Sequence, residues 1–91
     1  MAPRIPNDPV ALALAALAAT LSDERRAQRF LDLTGIGTDE LRDRLGEPAL
    51  LAAVLHFLEA HEPDLIAVAE ELGAKPQDLV EARALLEEGS E

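Results

Sequence analysis

The chain has 91 residues, enough for one domain, and its 8 Lys and Arg stand against 18 Asp and Glu for a formal charge of −10. Alanine and leucine contribute 17 residues each, against 4 Val, 3 Ile, 2 Phe and no Trp or Tyr. Strands draw on β-branched and aromatic side chains and helices on Ala, Leu, Glu and Arg, so a β protein, a multidomain enzyme and a basic nucleic-acid binder are excluded.

Proline and glycine punctuate the chain. Residues 1–7, with Pro3 and Pro6, read as an irregular N-terminal arm. Asp8-Pro9 then opens a first helix over Pro9–Leu21, since proline suits the first helical position where its missing N–H costs nothing. This segment is apolar all round, with Val10, Leu14, Leu17 and Leu21 as its expected buried stripe and Ala11, Ala15 and Ala18 as a second, close-approach stripe. It is too short for a membrane span, which needs about 20 residues. It also mimics a secretory signal, with Arg4 ahead of it and Ala16-Leu17-Ala18 as a cleavage site. Asp8 fits that pattern badly, and a helix at the centre of a bundle is the better reading.

A second helix is expected over Asp23–Thr34 with Ser22 as its cap, and a short third over Asp39–Leu45 capped by Thr38. Pro48–Ala60, Pro63–Leu72 and Pro76–Glu87 complete six helices, with stops at Gly35, Gly46, Gly73 and Gly89. Residues 8–88 form the domain and 89–91 a tail. The expected core is Leu14, Leu17, Leu21, Phe30, Leu33, Ile36, Leu41, Leu51, Val54, Leu55, Leu58, Leu65, Val68, Leu72, Leu79 and Leu86. The fold class is all-α, a compact six-helix orthogonal bundle with the first and fourth helices at its centre. Gly35-Ile-Gly-Thr-Asp-Glu-Leu41 and Gly73-Ala-Lys-Pro-Gln-Asp-Leu79 match in outline, so two related three-helix units are an alternative description.

Motifs for chemistry are sparse. With no cysteine there is no disulfide, thiolate or zinc-thiolate site, which fits a reducing compartment. The loop Gly35–Glu40 resembles the calcium loop of annexin repeats, but its helix is too short and its leucine comes too early. The simpler account is that Gly35 ends the second helix, Ile36 packs inward, and Thr38 caps the third with Asp39 and Glu40 favourable at its dipole. His56, Glu59, His61 and Glu62 bring together metal-ligating types without a zinc spacing. No nucleophile and base share a pattern, so the expectation is no enzyme, no cofactor and no metal.

Charge is the remaining signal. Residues 1–44 carry a net −1 and residues 45–91 a net −9. The preferred reading is a small protein–protein interaction module whose acidic second half, through Glu59, Glu62, Glu70 and Glu71, meets a basic protein partner. The competing account is that acidity simply keeps an alanine–leucine bundle soluble. A second reading is a helix-turn-helix-like module that binds nucleic acid or another anion through Arg25, Arg26, Arg29 and Arg44. The acids of the third helix argue against it, and local Glu40–Arg44 and Arg29–Asp32 pairs would absorb part of its charge. The chain is expected to be a monomer, or a homodimer through Leu50, Phe57 and Ile66, with no membrane partner.

The segments Arg29-Phe-Leu-Asp-Leu-Thr-Gly-Ile36, Asp39-Glu-Leu-Arg42 and Leu50-Leu-Ala-Ala-Val-Leu-His-Phe57, with the run to Pro76, resemble the domain-of-unknown-function family numbered 3572. The resemblance covers about residues 8–88, and Phe-Leu-x-Leu-Thr-Gly is its most specific piece. His61-Glu62 departs from a more usual Asp-Glu, so no special role attaches to that first position. The resemblance implies a small helical bacterial protein in the cytoplasm. It carries over no functional residue.

Overall fold

The computed structural model describes residues 8–89, so the arm at 1–7 and the end of the expected tail lie outside the described residues. The described residues form six helices and no strand: α1 (Pro9–Leu21), α2 (Glu24–Thr34), α3 (Thr38–Asp43), α4 (Pro48–Glu59), α5 (Glu62–Leu72) and α6 (Pro76–Gly89). Proline stands at or next to the start of α1, α4, α5 and α6. Gly35 and Gly73 close α2 and α5 in the left-handed region at φ 70° and 71°, a conformation that costs glycine little.

Local capping shifts several expected boundaries by a residue or two. Asp23, rather than Ser22, caps α2, because its carboxylate reaches the amides of both Arg25 and Arg26. Ser22 instead closes α1. Gly37 caps α3, with Thr38 as its first residue and no side-chain cap bond. Gly89 lies inside α6 rather than after it.

Helices α1, α4, α5 and α6 each pack against the other three, and α2 lies along α1. Helix α3 is an outlier held mainly by buried Leu41. The two halves are therefore unequal: α6 is built into the four-helix core, whereas its would-be counterpart α3 is peripheral. A Cα radius of gyration of 12.2 Å equals the roughly 12 Å expected of a folded chain this long.

Helix α4 is central, with Leu50, Leu51, Ala52, Val54, Leu55, Phe57 and Leu58 all buried. Helix α1 is central on one side only. It buries Leu12, Ala13, Ala16, Leu17, Ala19 and Thr20, and leaves Val10, Leu14, Ala18 and Leu21 facing out. The leucine stripe expected inside is thus mostly outside. A helix apolar at nearly every position has no hydrophobic phase, so small alanines that admit close neighbours decide its rotation. Leu33, also expected in the core, is 70% exposed, while Ile36 and Leu72 pack at its edge. Leu50 and Phe57, expected at a dimer face, are buried.

Candidate functional site

The four acids expected to meet a partner divide into two pairs. Glu59, on the last turn of α4, bonds Arg83 of α6. Glu71 of α5 bonds Arg26 of α2 at 2.8 Å. Glu62 and Glu70 are exposed, and their carboxylates have no hydrogen-bond or ionic partner among the described residues. They lie on one face of α5 at i and i+8, with Ile66 between them at i+4 and 41% exposed. The opposite face, Asp64, Leu65, Val68 and Ala69, is buried, which fixes the acid–apolar–acid row toward solvent.

The four arginines of the anion-binding reading do not gather into a free basic patch. Arg26 is buried; its guanidinium donates to the Ala19 carbonyl at 3.1 Å and pairs with Glu71, whose hydrogen bond raises the arginine's pKa against the opposing effect of burial. Its Nε is buried without a partner. Arg29 pairs with buried Asp64, not with Asp32, which accepts from Gln28 at 2.9 Å. Arg44 pairs with Glu40 at 2.8 Å, as expected, and with Glu47 at 3.0 Å. Arg25 alone of the four is exposed with no ion pair. It lines an open groove of about 510 Å³ with Leu21, Glu24, Ala27, Gln28 and Leu31. Part of the contrast between the two halves of the chain is therefore settled internally, because Arg26 and Arg29 of the first half neutralise Glu71 and Asp64 of the second.

A second polar cluster joins α4 to α6. The His56 Nε2 lies 2.7 Å from one carboxylate oxygen of Glu87, and Arg83 bonds both Glu87 and Glu59. The His56 hydrogen bond first, and Arg83 with it, holds the Glu87 carboxyl below its ordinary value. Of the metal-ligating types noted in the sequence, His56 turns to Glu87 and Glu59 to Arg83. His61 becomes the backbone cap of α5. Among the described residues no three His, Cys, Asp or Glu side chains come together as a metal site. None of the helices there is long and apolar enough to cross a membrane.

Buried Asp64 and the Arg83 bridge escaped the sequence reading, because partners 35 and 24 residues away leave no local signature. Of the stripe expected on α1, Val10, Leu14 and Leu21 face out, whereas Leu17 is buried and Ala18 takes its place in the outward row.

A family model described as a protein of unknown function (DUF3572) matches residues 6–89. No curated protein and no solved structure matches the chain.

Proposed function

We propose that this chain, which belongs to the DUF3572 family of proteins of unknown function, is a non-enzymatic interaction module that docks a basic protein segment in the cytoplasm. The observation that carries the reading is the α5 row, where Glu62 and Glu70 stand unpaired on either side of exposed Ile66. A carboxylate already neutralised by an internal arginine offers a partner little. Two free carboxylates about 12 Å apart along a helix, with an apolar contact between them, suit a segment that presents basic residues around an apolar one. The formal charge of −10 would draw such a segment in at long range and release it as salt rises.

The test is affinity capture from a bacterial lysate at low and high salt, with the native chain beside a Glu62→Lys, Glu70→Lys double variant. A salt-sensitive basic protein held by the native chain and lost by the variant supports the role. No salt-sensitive partner, or one held equally by both chains, overturns it.

A further inference from the structure

We propose that the protein pairs with a second copy of itself, antiparallel, through the outward row of α1. In a chain of net charge −10, α1 contains no charged residue over Pro9–Leu21. At about 100° per residue, Val10, Leu14, Ala18 and Leu21 fall within about 80° of arc and rise about 16 Å along the axis. All four are exposed, Leu14 by 37% and Leu21 by 40%, and the buried residues of α1 occupy the remaining side. At its far end the row does not stop. Leu21 also lines the groove floored by Ala27 and Leu31, so the apolar surface turns from α1 onto α2.

Three features single out a second copy as the occupant. An antiparallel two-fold pairing sets Leu14 against the partner's Ala18 and Val10 against the partner's Leu21, so that a large side chain meets a small one near the axis. The same register brings the partner's Asp8 toward the start of α2, where Arg25 is exposed with no ion pair. Asp8 is itself exposed at the N-cap of α1. Finally, two chains this acidic repel wherever their charged surfaces meet, and an uncharged helix face is where they can approach. Glu24 beside Arg25 keeps the electrostatic gain small, so the apolar row supplies most of the attraction. Three turns of helix and a groove floor offer less than the about 800 Å² per partner of a standard interface, which makes this a weak, concentration-dependent dimer.

Sedimentation equilibrium from about 10 μM to about 1 mM covers the range of such an association. The native chain is expected to move from monomer to dimer, and Leu14→Glu to stay monomeric with an unchanged helical spectrum. Leu85→Glu, at an exposed position on α6, is expected to dimerise like the native chain. In a chain without cysteine the register is tested separately, by mixing Leu14→Cys and Ala18→Cys chains under mild oxidation. The mixed disulfide should form ahead of either homodisulfide. A native chain monomeric throughout, a Leu14→Glu chain that still dimerises, or homodisulfides that form first would each overturn the proposal.

Discussion

Phe30 and Phe57, the chain's two aromatic residues, meet edge to face with ring centroids 5.2 Å apart and an interplanar angle of 84°. The contact ties α2 to α4, although α2 otherwise lies chiefly on α1. Phe30 is completely buried and Phe57 nearly so, and the arrangement sets the positive ring edge of one against the negative face of the other. Phe30→Ala should cost about 3–5 kcal/mol, because a small domain cannot collapse onto so large a void. Phe30→Leu should cost about 1 kcal/mol, since it keeps most of the volume and loses the ring pair. Urea unfolding measures both, and a Phe30→Leu chain as stable as the native one would show that the ring edge contributes nothing beyond bulk.

Arg26 is the polar counterpart of that pin. Its planar fork reaches the Ala19 carbonyl at the end of α1 and Glu71 on α5 together, which one ammonium group cannot reproduce. Arg26→Ala is expected to lower stability by about 2–3 kcal/mol and Arg26→Lys by about 1 kcal/mol. If the lysine variant matched the native chain in urea, the two-pronged contact would not be what stabilises the junction.

How much of this was legible beforehand depends on what kind of information each residue carries. Helix positions were, because Pro9, Pro48 and Pro76 begin helices and Gly35 and Gly73 end them through backbone properties that need no partner. The core of α4 was also legible in part, through Leu51, Val54, Leu55 and Leu58. Rotation of α1 was not, since Ala13, Ala16 and Ala19 differ from Ala11, Ala15 and Ala18 only in what lies opposite them. Leu33 fails for a related reason. By angle it shares the inward face of Arg26 and Phe30, but one turn beyond Phe30 that face is open to solvent. At the candidate site, the acids of α5 could be named from charge, whereas their division into paired Glu71 and free Glu62 and Glu70 depends on where Arg26 folds.

The glycines of the α2–α3 loop separate two backbone demands. A Cβ at Gly35 or Gly73 would meet nothing within 4 Å, so the cost of Gly35→Ala or Gly73→Ala is conformational, about 1 kcal/mol at a φ near +70°. Gly37 is different: it caps α3 at φ −82° without a side-chain bond, and a hydroxyl there could accept from the first free amides. Gly37→Ser should therefore raise stability slightly, by about 0.3 kcal/mol. Thermal unfolding of the three variants checks the signs, and a stabilised Gly35→Ala would contradict the left-handed cap.

The His56–Glu87–Arg83 cluster gives the acid limb of stability a test. Glu87 has its folded-state pKa held below the ordinary 4.5, by His56 first and Arg83 after. A carboxylate shifted that way stabilises the fold fully above its unfolded value, and the contribution fades as pH falls through the lower folded value. Glu87→Gln removes the ionisation while keeping the shape. The variant is expected to unfold at lower urea than the native chain at pH 7, the gap narrowing as pH falls below the ordinary carboxylate value and closing once it has passed the lower folded value, where both side chains are neutral. The gap should be small and should shrink with salt, because the cluster is open to water. A gap that persisted undiminished at low pH would place its origin in the packing of α6 rather than in the charge of Glu87.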